Sequence, residues 1–182
     1  MNLIDIVMTG IGLSMDAAAV SVTNGMVYKM GRDKKIMAPV FFGVFQGLMP
    51  ILGYVTGGVF SKWLVKYSGI IIFLIFLYLG IEMLREGLSK ELAEKKEPTV
   101  MTYGVLLMQA VATSIDAFAV GIAFCAMEVS IWFAALVISV TTLLLSAFFS
   151  FLGKKFGEVL GKKAEVFGGS LLLLLALKAI LF

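Results

Sequence analysis

The sequence predicts an all-α integral membrane protein, six transmembrane helices arranged as two inverted-topology three-helix repeats. Three observations carry that expectation. The 182-residue chain is 60% hydrophobic and only 15% charged, where a soluble domain runs near 45–50% and about 25%. Its apolar residues fall into long runs separated by charged gaps. The second half repeats the first at a constant offset.

Six apolar runs are long enough to be spans, at 4–26, 37–60, 68–86, 101–125, 131–153 and 166–182. Six helices of roughly 22 residues take roughly 130 positions. The remainder is too short for an attached catalytic or nucleotide-binding domain. The opening Met1-Asn2-Leu3-Ile4-Asp5 carries no basic segment ahead of its apolar stretch, unlike a cleavable signal peptide.

Charge sets the expected orientation. Lys29, Arg32, Lys34 and Lys35 follow the first run; Arg85, Lys90, Lys95 and Lys96 follow the third; Lys154, Lys155, Lys162 and Lys163 follow the fifth. These three gaps hold twelve basic residues, against Lys62 and Lys66 alone in the other two. The positive-inside rule puts the richer gaps in the cytoplasm and both termini outside. The net charge of +3 is read as this topology signal and not as a nucleic-acid surface.

The repeat is visible residue by residue. Ser14-Met15-Asp16-Ala17-Ala18-Ala19-Val20 aligns with Ser114-Ile115-Asp116-Ala117-Phe118-Ala119-Val120 at an offset of 100 positions. The same offset pairs Gly53 with Gly153, Gly57 with Gly157, Lys62 with Lys162 and Gly69 with Gly169. The expected organisation is a first three-helix repeat over 1–86, a charged cytoplasmic linker over 87–100 and a second repeat over 101–182. Three spans are an odd number, so the second unit enters from the opposite side. Secondary transporters are commonly built this way.

Asp16 and Asp116 fall near the middle of the first and fourth runs. A carboxylate at the bilayer centre costs about 2.5–3.5 kcal/mol even on the lenient insertion scale, and such residues mark functional sites. Thr9, Gly12, Ala19 and Thr23 share the helical face of Asp16. Gln109, Ala112, Thr113, Ala119 and Ala123 share that of Asp116, while Leu107, Val111, Phe118 and Ile122 form the opposite, lipid-facing side. Inverted symmetry lets two such carboxylates converge on one cation at the midplane. In the second run, Pro50 frees the carbonyl of Gln46 from the helix ladder, so Gln46 can add oxygen ligands. The second half has Ser146 and Ser150 at the matching positions, so the halves are not equivalent.

Donor chemistry restricts the ligand. Carboxylate, amide and carbonyl oxygens, with the hydroxyls of Thr113 and Ser114, suit Mg²⁺, Ca²⁺ or Mn²⁺. The chain has no histidine and one cysteine, Cys125, which argues against Zn²⁺ and copper and excludes Ser-His catalysis. Met15 and Met49, beside Asp16 and Gln46, offer softer thioethers that would favour Mn²⁺; packing is the simpler role for both. No enzyme activity, cofactor or nucleotide-binding loop is expected. Gly43-xxx-Gly47, Gly53-xxx-Gly57 and Gly153-xxx-Gly157 are close-packing motifs that would also serve a homodimer.

These residues resemble the bacterial manganese efflux pump family, six-helix proteins with an internal three-plus-three repeat. The resemblance covers nearly the whole chain. It rests on Ser14-Met15-Asp16-Ala17, Gln46 to Pro50, Leu79-Gly80 through Glu86-Gly87, Thr113-Ser114-Ile115-Asp116-Ala117 and Gly161-Lys162-Lys163-Ala164-Glu165 with Gly168-Gly169. It implies export of Mn²⁺ across the bacterial cytoplasmic membrane, with Asp16 and Asp116 at the transport site; a secondary transporter is expected, and the aspartates could take up external H⁺ as the metal leaves. Export is implied by the resemblance alone. One departure is Gln46, where some relatives carry glutamate, which leaves the local charge and any proton coupling there open. The rival readings are a carrier of another divalent cation or of an amino acid, and a membrane scaffold without transport.

Overall fold

The computed structural model describes residues 3–28, 30–56, 61–88, 100–127, 129–160 and 163–181. Among them run six helices: α1 Leu3–Val27, α2 Arg32–Thr56, α3 Ser61–Leu88, α4 Tyr103–Ala126, α5 Ile131–Leu160 and α6 Ala164–Leu181. Four helical stretches, Leu3–Val27, Asp33–Thr56, Tyr103–Cys125 and Ile131–Gly157, are long and apolar enough to cross a membrane. A shorter apolar segment, Val166–Lys178, lies in α6. Most of the expected linker, residues 89–99, lies outside the described residues, as do Lys29, Gly57 and Lys162.

The distribution of side chains is that of a membrane protein. Large apolar groups point outward: Val55, Ile4, Trp132 and Leu144 are all exposed. Polar groups point inward, with Ser14, Thr23, Asn24, Gln46, Gln109, Thr142 and Ser146 all buried. Water would reward the opposite arrangement; lipid rewards this one, because its tails cannot hydrogen-bond. The chain is a multi-pass membrane protein.

The helices outrun the apolar runs that announced them. α2 begins at Arg32, so Lys34 and Lys35 lie within it, and α5 continues through Lys154 and Lys155 to Leu160. At 30 residues, α5 is about 45 Å long, against a hydrocarbon core of about 30 Å. Backbone hydrogen bonding does not stop at the lipid boundary, and charged side chains are stable on the turns beyond it. The start of α4 is set locally: the Thr102 hydroxyl accepts a hydrogen bond from the Val105 N–H at 3.2 Å, an N-cap. α2 holds two internal prolines, Pro39 and Pro50.

Packing runs chiefly between the halves of the chain. α1 packs most extensively on α5, α2 on α4 and on α5, and α3 on α6. Glycine makes the closest of these contacts possible. Gly53 abuts the Phe118 carbonyl, Gly121 the Pro50 carbonyl, Gly25 the Ser150 carbonyl and Gly153 the Val22 carbonyl. Register follows from such pairs. α1 and α5 run in the same direction, since Gly10 lies on Ile138 and Thr141 while Gly157 lies on Met26. α3 and α6 run oppositely, with Gly80 on Leu173 and Gly169 on Leu84. Gly43 and Gly47 face Ser139 across the α2–α5 contact. The glycines expected to serve a homodimer, Gly57 aside, are therefore occupied inside the chain. A side chain there would have to displace a neighbouring backbone, because small residues are what allow helices to approach this closely.

Two substitutions test this interlock against a control. Gly121→Ala and Gly153→Ala drive a Cβ into the Pro50 and Val22 carbonyls and are expected to cost about 1–3 kcal/mol each. Their thermal unfolding midpoints in detergent should fall. Gly12→Ala, whose Cβ would meet nothing within 4 Å, should leave the midpoint at the wild-type value.

Candidate metal site

Asp16 on α1 and Asp116 on α4 are brought together where these two helices cross in opposite directions. The crossing is fixed further along by a reciprocal amide pair. Asn24 Nδ2 donates to Gln109 Oε1 at 2.7 Å, and Gln109 Nε2 donates back to Asn24 Oδ1 at 3.1 Å. Both side chains are fully buried, so each amide satisfies the other where no water can. Moving from 24 to 16 along α1 and from 109 to 116 along α4 brings the two carboxylates level. Asp116 lies within electrostatic reach of both Asp16 and Lys178.

The carboxylates have different partners. Asp116 Oδ1 accepts the backbone N–H of Ala117 at 2.8 Å, and the Gln46 side chain lies beside the same group. Asp16 Oδ1 accepts from the Lys178 ammonium at 2.5 Å. The Asp16 side chain is 23% exposed and that of Lys178 54% exposed.

Two buried side-chain oxygens are left without hydrogen-bond partners among the described residues. Gln46 is fully buried; its Nε2 donates to the Leu13 carbonyl at 3.1 Å. Its Oε1 has no hydrogen-bond partner among the described residues, and neither has the Oγ of fully buried Ser146. Gln46 and Ser146 occupy corresponding positions of the sequence repeat. Gln46 sits beside Asp116. Ser146 is bracketed on α5 by Thr142, which shares a 2.7 Å hydrogen bond with Ser14, and by Ser150, which meets Gly25. That register sets Ser146 level with the stretch of α1 from Ala18 to Ser21. A buried oxygen without a partner costs about 1–3 kcal/mol, and a cation at Asp116 would satisfy that of Gln46.

The remaining expected ligands distribute unevenly. Thr113 donates to the Gln109 carbonyl at 3.0 Å and Ser114 to the Val111 carbonyl at 3.1 Å; their lone pairs stay free to accept or to ligate. Met49 packs against the apolar cluster of Leu13, Ala117 and Ile138. Met15 is 52% exposed, on the outer side of α1, and is not brought into the group.

Face assignments need correction. Phe118, expected to meet lipid, is buried, whereas Gly12 and Ala123, expected inside, are exposed. Glycine and alanine fit a tight helix contact or a lipid surface equally well, so on helices apolar all round they do not mark a face. The buried side of α1 is built from Leu13, Ser14, Ala17, Ala18 and Ser21, with Asp16 at its margin. Lys178 was missed, although a single lysine within the apolar run 166–182 was its signal in the sequence.

No group of three histidine, cysteine, aspartate or glutamate side chains occurs among the described residues. Two carboxylates with neutral oxygens make a site of modest charge, suited to an ion that must leave as well as enter. A separate cavity of about 420 Å³ is lined by Tyr28, Met30, Lys35, Ser150, Phe151 and Lys154. Its charged lining is basic, which is the wrong sign for a cation.

Helices crossing lipid, polar inside and apolar outside, around a pair of intramembrane carboxylates define a membrane-transport class of protein. Comparison with known proteins is more specific. A family described as "Putative manganese efflux pump" matches residues 29–180. Proteins named as manganese efflux pumps of this kind are similar along the full chain. One from Methanothermobacter thermautotrophicus is 35% identical over 182 residues, covering 100% of this chain and 97% of its own length. Another, from Bifidobacterium adolescentis, is 37% identical over 179 residues, covering 98% and 95%. A third, from Ruminiclostridium cellulolyticum, is 35% identical with the same coverage. No solved structure matches. The chain belongs to the manganese efflux pump family, a family of transporters and not of enzymes.

The amide pair provides a test of the crossing. Gln109→Leu alone leaves Asn24 buried without a partner and is expected to cost about 1–3 kcal/mol. The double variant Asn24→Leu/Gln109→Leu should cost clearly less than the two single variants summed, as read from thermal unfolding of all four proteins. Additive losses would show that the two amides do not act as a unit.

Proposed function

We propose that this protein exports Mn²⁺ from the cytoplasm by alternating access, as a secondary transporter with Asp16 and Asp116 as its ion ligands. The observation that carries this reading is the convergence of the two carboxylates beside Gln46, whose buried Oε1 has no hydrogen-bond partner among the described residues. Two negative charges match a divalent cation, and hard oxygen donors match Mn²⁺. Thr113 and Ser114 stand as auxiliary oxygens on α4. Mn²⁺ is a transported substrate here, and no resident cofactor is implied. Mg²⁺ and Ca²⁺ share the donor preference, so selectivity for Mn²⁺ leans on the family names.

The moving parts are two inverted three-helix repeats, 1–86 and 101–182. Support comes from the exchange of partners under the 100-residue offset: α1 on α5 is mirrored by α4 on α2, and α3 pairs with its own counterpart α6. Gly53 and Gly153 likewise make corresponding backbone contacts on the two sides. The symmetry is broken at Asn24–Gln109, whose counterparts are Phe124 and Thr9. One end of the α1–α4 crossing is thus clasped by amides and the other is apolar, an inequality that alternating access requires. All six helices cross the cytoplasmic membrane in this reading. The basic gaps lie in the cytoplasm, which puts both termini outside and the amide clasp on the cytoplasmic side of the carboxylates. When the metal leaves, the carboxylates can take up external protons, giving antiport.

Asp16→Asn and Asp116→Asn should each raise Mn²⁺ content several-fold in cells given excess metal, at expression equal to wild type. Variants that still hold internal Mn²⁺ low would sink the assignment. In oriented proteoliposomes, wild-type Mn²⁺ flux should quicken with a pH gradient of the right sign, and Gln46→Leu with Ser146→Ala should weaken Mn²⁺ binding about tenfold, the equivalent of roughly 1.4 kcal/mol. Flux indifferent to the gradient would remove proton exchange while leaving Mn²⁺ transport in place.

A further inference from the structure

Lys178 stands apart from every other basic residue of the chain. The others cluster in or beside the gaps between the apolar runs, where they can report topology. Lys178 is the one charged residue in the run 166–182, and its ammonium bonds directly to Asp16 at 2.5 Å. The contact is continuous with the packing of α6 on α1. Gly168 lies against Thr23 and Val27, and two to three turns on, in opposite directions, Lys178 meets Asp16. The repeat gives Asp116 no equivalent, because position 78 is tyrosine and Tyr78 is exposed. Asp116 accepts a backbone N–H instead, with the neutral Gln46 side chain beside it. The two carboxylates of the site are thus neutralised unequally, one of them by a full positive charge.

An ammonium on Asp16 Oδ1 sits where a divalent ion has to approach, and the two cations repel. On the reading of Asp16 and Asp116 as Mn²⁺ ligands, we propose that Lys178 is a tethered competing cation. It occupies the Asp16 carboxylate while the site is empty, and the incoming metal displaces it. This does two things for a carrier. The empty protein reorients with Asp16 already compensated, which a bare carboxylate at membrane depth would not allow cheaply. The bound metal is held less tightly than two carboxylates alone would hold it, and returning Lys178 helps to expel it. The long stem of the lysine lets the ammonium swing toward the nearby end of α6, Leu181, when displaced.

The test is equilibrium Mn²⁺ binding to the full-length protein in lipid nanodiscs, read from the spectrum of free Mn²⁺, alongside Mn²⁺ flux in proteoliposomes. Removing a like charge within a few ångströms shifts a neighbouring ionic equilibrium by about one to three decades. Lys178→Met should accordingly bind Mn²⁺ at least about tenfold more tightly while its flux falls, and Lys178→Arg should stay near wild type in both. A Lys178→Cys protein in a Cys125→Ala background separates charge from packing within one fold. Attaching an aminoethyl group through a disulfide should weaken Mn²⁺ binding, and attaching an ethyl group should not. Binding by Lys178→Met that is unchanged or weaker, or equal responses to the two reagents, would overturn the proposal and leave Lys178 as a strut between α6 and α1. Wild-type protein that binds no Mn²⁺ would overturn the metal reading itself, and this inference with it.

Discussion

A carboxylate inside hydrocarbon must be compensated by protein, because no water is there to do it. The rest of this architecture follows from holding two of them. Asp116 is compensated by a backbone N–H, with the Gln46 side chain beside it, and Asp16 by the Lys178 ammonium. Each partner comes from a different helix, so the pair at the α1–α4 crossing recruits α2 and α6. The same rule governs the polar interior as a whole. Asn24 and Gln109 satisfy each other, and Ser14, Thr113 and Ser114 donate to carbonyls one turn back. Against that thorough pairing, Gln46 Oε1 and Ser146 Oγ stand out as buried side-chain oxygens without a partner among the described residues.

Bringing these groups together requires helices at very short range. Without a hydrophobic force between helices in lipid, association depends on shape and close van der Waals contact. Gly25, Gly53, Gly121 and Gly153 supply it by letting one backbone lie on another's carbonyl. Each of these contacts joins the first half of the chain to the second. The halves are consequently interleaved, and the site belongs to both.

The alternating-access reading proposed above rests on near-symmetry with local departures. In that reading the shared features, the two aspartates and the paired glycines, would make two similar arrangements of the bundle accessible. The departures would bias them: amides at one end of α1–α4 against Phe124 and Thr9 at the other, glutamine at 46 against serine at 146, lysine at 178 against tyrosine at 78. A perfectly symmetric pair of halves would have no reason to prefer either side of the membrane.

Much of this was legible in the sequence. Lipid as the solvent, the main helical runs and the choice of Asp16 and Asp116 as candidate residues all follow from local composition, because in a bilayer the cost of each residue depends mainly on its depth. Helix ends were less legible, as Arg32 and Leu160 show, since charged turns continue a helix beyond the lipid. Faces were less legible still: Phe118 is buried and Gly12 exposed, because an apolar residue satisfies lipid and protein alike. Only tertiary structure decided which partners meet. The Lys178–Asp16 contact joins residues 162 positions apart, and the partnerless state of Ser146 depends on everything around it. The sequence by itself determined that two charges must be buried in a membrane, since that is a property of the residues. Which groups compensate them is a property of how six helices pack, and that was settled only in three dimensions.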